Sequence, residues 1–204
     1  MSKPPRNRYS ILVAIVTLIL AAAGSALAQS AENTNLTNVK IKNFGQMDDR
    51  FYRGAQPDKA DYKQLADLGI KTVIDLTDDP KGYEKTSVEA LGMQYVNIPM
   101  SDKRYPESAA IDRFLKLVDD PTTGKFYVHC AGGRHRTGVM GAVYRFNHYN
   151  WNFDQVYSEM KNYDFYTRWG HGDLKKFVED YSASYQHNAA TATTSAKTTG
   201  VKQK

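Results

Sequence analysis

The stretch Lys125-Phe126-Tyr127-Val128-His129-Cys130-Ala131-Gly132-Gly133-Arg134-His135-Arg136-Thr137-Gly138 decides the reading of this chain. Its first six residues are aromatic, β-branched and apolar enough for a strand. From Thr137 to Tyr149 the pattern becomes helical. A strand, a glycine-rich turn and a helix in direct succession form the place where α/β sheets bind ligands, beyond a strand's carboxyl end. A tight turn there aims successive backbone N–H groups at one point, and the helix N-terminus reinforces them, so the loop suits an anion. Gly132 and Gly133 permit backbone angles that bulkier residues resist. Residues Ala131, Gly132, Gly133, Arg134 and His135 would line the cradle, and Arg136 would close it with a guanidinium that fits two phosphate oxygens.

Cys130 opens that turn and is the only cysteine of the chain. The N–H groups and the helix dipole favour its thiolate, so its pKa should fall well below the free value of about 8.5. A thiolate facing a bound phosphate is a nucleophile for phosphoryl transfer. The Thr137 hydroxyl is placed to donate to the sulfur and ease its later departure. The bland alternative is a merely buried cysteine, since free cysteines are among the most buried residues. A lone thiol inside a glycine-rich strand-to-helix turn argues for chemistry instead.

Working outward, further strands are expected at Arg50–Arg53, Lys71–Leu76 and Met93–Ile98. Helices are expected at Pro57–Leu68, Tyr83–Leu91 and Pro106–Asp119, the first two stopped by Gly69 and Gly92. Phe153–Lys161 and Leu174–Tyr185 follow as helices. Alternation of this kind implies an α/β fold, a mainly parallel central sheet flanked by helices.

The pattern Cys-x5-Arg-Thr, preceded by His129, resembles the signature of the cysteine-dependent protein tyrosine and dual-specificity phosphatases. The resemblance runs through most of residues 50–150. Tyr52-Arg53-Gly54-Ala55-Gln56-Pro57 and Leu68-Gly69-Ile70-Lys71-Thr72-Val73-Ile74-Asp75-Leu76 are similar to the opening of bacterial dual-specificity-type phosphatases, although Gly54 stands where those usually carry Ser. Gly133-Arg134-His135-Arg136-Thr137-Gly138 also resembles the plant and fungal branch that acts on inositol pyrophosphates. The resemblance implies the dual-specificity phosphatase fold, no metal or cofactor, and a phosphorylated protein or inositol phosphate as substrate. It also implies a general acid, an Asp upstream of the cysteine on a loop opposite the cradle.

Asp102, in Met100-Ser101-Asp102-Lys103-Arg104-Tyr105-Pro106, follows the third strand and lies 28 residues before Cys130. It is the best match for the acid, the alternative being a helix-capping Asp. Asp78-Asp79-Pro80 is the rival and reads more naturally as a turn. His129 is read as a buried, hydrogen-bonded ring that orients the cradle. Arg134 and His135 either face the substrate or are solvated, and Arg53, Lys103 and Arg104 are further possible rim charges. Tyr149, Trp151, Phe153, Tyr157, Tyr163, Phe165, Tyr166 and Trp169 are read as core packing. His148, His171 and His187 lack metal-ligand spacing, so no metal site is expected. Two other readings stay open: a sulfurtransferase, which also keeps one Cys in an anion cradle, and a non-catalytic phospho-binding module.

The 204 residues suit one ordinary domain, and 41% hydrophobic with 24% charged residues is close to globular averages. The formal charge of +5 sits at the ends. Lys3, Arg6 and Arg8 precede residue 28, and Lys197, Lys202 and Lys204 follow residue 187, leaving the body slightly acidic. A nucleic-acid-binding core is therefore disfavoured. The basic start, the apolar run from Ile11 and Ala26-Leu27-Ala28 read as a signal peptide over 1–28, with the mature chain starting near Gln29. An uncleaved anchor is the alternative, although the run is at the short limit for a span. A cleaved signal implies export, to the periplasm or beyond, with no stable membrane insertion. Residues 29–45 are expected to be loose, 46–187 to form the phosphatase domain, and the Ala/Thr/Lys-rich 188–204 to be a disordered tail.

Overall fold

Short apolar strands separated by helices fold here into one layer of sheet with helices packed on it. The computed structural model describes residue 36 and residues 38–199. The signal segment lies outside the described residues. Strand β1 (Gly45–Gln46) leads into β2 (Phe51–Ala55), helix α1 (Asp61–Asp67) and β3 (Ile70–Asp75). Then come α2 (Glu84–Glu89), β4 (Gln94–Asn97), α3 (Ser108–Asp119) and β5 (Lys125–Cys130). The chain ends in helices α4 (His135–Tyr149), α5 (Phe153–Asn162) and α6 (Gly172–Thr199).

The strand order is β1-β2-β5-β3-β4. β5 is inserted between β2 and β3 and is parallel to both, as β4 is to β3; β1 alone pairs antiparallel. The register sets Ala55 beside Cys130, and Asp75 beside both His129 and Asn97. Cys130 thus stands at the carboxyl edge of the central strand, with the loops after β3 and β4 leaving the same edge.

The two-residue period of β5 divides its side chains between the faces. Phe126, Val128 and Cys130 join the main apolar core with α3, α4, α5 and α6. His129 points the other way, to Glu84 of α2. Helix α4 is buried along almost its whole length, from His135 to Phe146. On α3 the spacing i, i+3, i+7 puts Ile111, Phe114 and Val118 on one buried face. Phe51, Phe126 and Tyr144 meet with ring centroids 4.9–5.9 Å apart. Each such fully buried ring contributes about 1.5–3 kcal/mol by area.

Helix α1 starts at Asp61, not at Pro57, and two limits of the folded part also differ from the sequence expectation. The folded part takes in residues 40–45, because Ile41 is buried and the Lys42 carbonyl accepts from Ala55 N–H at 2.8 Å. At the other end, helix α6 continues to Thr199 through the stretch expected to be a tail from Asn188. That stretch is alanine-rich and has no glycine or proline before Gly200, so nothing local stops a helix. The aromatic segment is also only partly core: Phe165 is buried, whereas Trp169 is 72% exposed. No helix among the described residues is long and apolar enough to cross a membrane.

Candidate active site

The turn from Cys130 to Arg136 is held from outside by its carbonyls. Ala131 O accepts from Gln56 N–H at 3.4 Å, and Gly132 O accepts from Asn43 Nδ2 at 2.8 Å. Gly133 O accepts from Nη2 of the buried Arg53 at 2.8 Å. With three consecutive carbonyls fixed outward, planar peptides turn their N–H groups inward, which is the geometry of an anion cradle. Gly133 is the residue that needs to be glycine: its φ is +65°, and a Cβ there would collide with the backbone of Gly54 and Ala55. Gly132 was expected to share this role, but its φ is not positive, and a Cβ there would meet only the Arg134 side chain. Close packing also accounts for Gly54. A Cβ there would run into the Tyr127 hydroxyl, which donates to Ala55 O at 2.7 Å.

Cys130 is 3% exposed. Burial pushes its thiol up, but the Thr137 hydroxyl and N–H, the Arg136 guanidinium and the Arg134 N–H outweigh burial and set it below its ordinary value. Arg136 comes back over the site from the first turn of α4. Its Nη1 donates to Asp78 Oδ1 at 2.8 Å and to Met100 O at 3.1 Å. Its Nε is buried without a partner among the described residues, a donor left over for an oxyanion. Asp78, read from sequence as a turn residue, is therefore the group that orients the cradle arginine. Asp102 lies on the neighbouring loop, half-buried, and its charge is felt at His135.

This strand, cradle and arginine arrangement agrees with a family model. The model for "DSP-PTPase phosphatase fused to NAD+ kinase" matches residues 27–175. The chain belongs to this phosphatase family. A probable tyrosine-protein phosphatase of Dictyostelium discoideum is 28% identical over 59% of this chain and 75% of its own length. An inositol diphosphatase of Arabidopsis thaliana is 24% identical over 72% of this chain and 78% of its own. The core catalytic domain of a PP-IP phosphatase from S. cerevisiae, solved with citrate, superposes with a TM-score of 0.62 at 21% identity, over 76% of this chain and 94% of that one. The phosphatase is a cysteine-dependent enzyme of the protein tyrosine and dual-specificity class. The sulfurtransferase and binding-module readings are set aside.

Behind the phosphatase's cradle, His129 is fully buried with Nε2 2.7 Å from Glu84 Oε1. Glu84 Oε2 accepts from Gln56 Nε2 at 2.9 Å, so one chain of contacts joins α2, the end of β2 and the residue before Cys130. Burial pushes the Glu84 carboxyl up, but His129, Gln56 and Tyr62 outweigh it and hold it below its ordinary value. Asp75 completes a buried His-Glu-Asp group, yet its oxygens already accept from Thr77 and Tyr95. The group acts as a prop under the cradle. Asn43 and Glu84 were not assigned roles from sequence, and Asp78 was read only as the rival acid or a turn residue; their partners stand 89, 45 and 58 residues away. Only the strand order brings these residues to one edge.

Arg134 and His135 separate. Arg134 stays at the rim, its Nε 3.6 Å from Asp164 Oδ2. His135 is 8% exposed and stacks on His171, with Phe165 and Tyr166 at its edge. Burial, then the neighbouring His171, push its pKa down to about 4, so at neutral pH it adds no charge to the rim. An unfolded His titrates near 6.5, and the unfolded chain therefore binds the extra proton between those values. Stability due to this group is present in full above pH 6.5 and is lost as pH falls towards 4. The loss should reach up to about 3 kcal/mol. Urea midpoints at pH 7 and 4.5 should fall further apart in the wild type than in His135→Phe, and equal separations would refute the buried neutral ring.

Proposed function

We propose that the chain is an exported, metal-independent phosphomonoesterase acting through a phosphocysteine on Cys130. The observation that supports it best is the buried, acidified thiol beside a cradle arginine whose Nε is unpartnered. In the first step Cys130 Sγ attacks phosphorus, the ester P–O bond breaks, and the Asp102 carboxyl gives its proton to the departing oxygen. In the second, water attacks the phosphocysteine, Asp102 takes a proton from it, and the S–P bond breaks with the Thr137 hydroxyl steadying the thiolate. Arg136 and the inward N–H groups hold the equatorial oxygens throughout.

The substrate we assign first is a phosphorylated protein side chain, in line with the name of the Dictyostelium relative. A second reading, an inositol polyphosphate or pyrophosphate, has its own support. A groove of about 440 Å³ beside the cradle is lined by Arg134, Lys161 and Arg168, with Asp164 as its acid. Several cations near one phosphate site suit a multiply charged ligand. Export rests on the basic, apolar and small-x-small run of residues 1–28.

Both parts are tested on protein recovered from outside the cytoplasm of cells expressing the whole chain. Its first residue should be Gln29, and in EDTA it should release phosphate from at least one of a phosphotyrosine peptide, a phosphoserine peptide, inositol hexakisphosphate and an inositol pyrophosphate. An intact Met1 in the membrane fraction would overturn cleavage. Activity that needs added metal would overturn the thiol route.

A further inference from the structure

The turn between α5 and α6 carries an unusual backbone. Trp169 has φ +60° and Gly170 φ +92°, two successive left-handed residues, the first bulky and exposed. A bulky side chain in that region is costly, and such outliers persist where the surrounding structure requires them. Here the turn delivers His171. Its ring is 7% exposed and its Nδ1 lies 2.7 Å from the backbone oxygen of Asp102. A carbonyl only accepts, so Nδ1 carries the proton and donates. The other side of His171 faces the cradle: its ring stacks on His135, centroids 3.7 Å apart and planes 13° from parallel.

We propose that His171 is a positioning residue for Asp102, fixing the acid loop against the cradle through one hydrogen bond and one ring stack. The loop is held little by its own contacts, since Lys103 N–H and Arg104 N–H share the Ser101 hydroxyl at 3.3 and 3.1 Å. Its ends are anchored on either side of Asp102: Met100 O accepts from Arg136 Nη1 at 3.1 Å, and Tyr105 packs on Phe177 and donates to Asp180 Oδ2 at 3.2 Å. His171 is the contact made at the Asp102 residue itself. It also touches the ring that lies between Arg134 and Arg136 in sequence, so this side chain joins the Arg136 bond to Met100 O in setting the spacing between proton donor and phosphate site. A displacement of about 1 Å at such a spacing is enough to slow a reaction by about 10²-fold.

The proposal rests on Asp102 as the general acid, and the test separates the two. Full-length protein is assayed on aryl phosphates from good to poor leaving groups, since a lost proton donor slows poor leaving groups most. Asp102→Asn should lower kcat/KM by about 10²–10⁴-fold on phenyl phosphate and far less on an activated nitrophenyl ester. His171→Phe, which keeps a ring for His135 to stack on, should give the same selective pattern, weaker by about tenfold. His171→Asn, whose amide nitrogen falls near Nδ1 although it has no ring for His135, should restore part of the loss. Combined with Asp102→Asn, His171→Phe should add nothing, because it acts through Asp102. A selective Asp102→Asn series beside an unselective or additive His171→Phe series overturns the positioning role alone. A flat Asp102→Asn series overturns the acid assignment and the positioning role with it.

Discussion

Cys130→Ser should lose turnover on the order of 10⁴–10⁶-fold, the scale on which removal of a nucleophile is felt. The size follows from what the site does to the sulfur. Thr137, Arg136 and the Arg134 N–H lower the thiol's pKa against the opposing effect of complete burial. The same surroundings act on a serine hydroxyl whose starting pKa is far higher, and the groups that lower the thiol's pKa, Thr137, Arg136 and the Arg134 N–H, include no base to take its proton. The cradle itself should survive. Its carbonyls are held by Gln56, Asn43 and Arg53, none of which touches the sulfur in doing so. Binding of inorganic tungstate, measured by calorimetry, should therefore be close to that of the wild type. Residual turnover within about tenfold of wild type would remove Cys130 as the nucleophile. Lost tungstate binding in a folded Ser variant would show that the thiolate organises the loop as well as attacking from it.

The parts of this site that were legible from sequence are the local ones. KFYVHC followed by a glycine-rich turn and a helical run put the thiol, the arginine and Thr137 within eight residues, so their roles followed from spacing alone. The parallel sheet followed from alternation, and the stripe on α3 from its period. What lies across the sheet was not readable. Arg53 looked like a rim charge, but β2 pairs with β5 in a register that brings it beneath Gly133, where it stacks 3.9 Å from the Tyr163 ring centroid. Burial lowers its pKa to about 10, which still leaves it charged at neutral pH. Asp78 looked like a turn residue because its neighbours are Asp79 and Pro80. Its contact with Arg136 exists because β3 lies next to β5 and the loop after it leaves from the same edge. His135 carries no local sign of burial, and the Phe165, Tyr166 and His171 that cover it arrive from the turn before α6.

The adjacent glycines of the cradle give the sharpest test of that cross-sheet packing. Gly133→Ala should destabilise the protein by about 2–5 kcal/mol, because two costs fall together. A left-handed backbone costs an L-residue about 1–2 kcal/mol. The added Cβ would also be forced against the backbone of Gly54 and Ala55, which cannot turn aside as a side chain does. Overpacking of that kind costs about 1–3 kcal/mol. Relief requires β2 to part from the cradle, which breaks the Arg53 bond to Gly133 O and swings the inward N–H groups off the phosphate. Turnover in the fraction that still folds should then fall by about 10²–10³-fold, as when oxyanion donors are misplaced. Gly132→Ala, one residue earlier, should cost less than about 1 kcal/mol. Its Cβ would meet only the Arg134 side chain at 3.7 Å, an ordinary contact, and its φ is one that alanine tolerates. Urea unfolding and kcat for the two variants decide the matter. Equal losses at both positions would mean that loop entropy, and not the approach of β2 to the cradle, sets the cost.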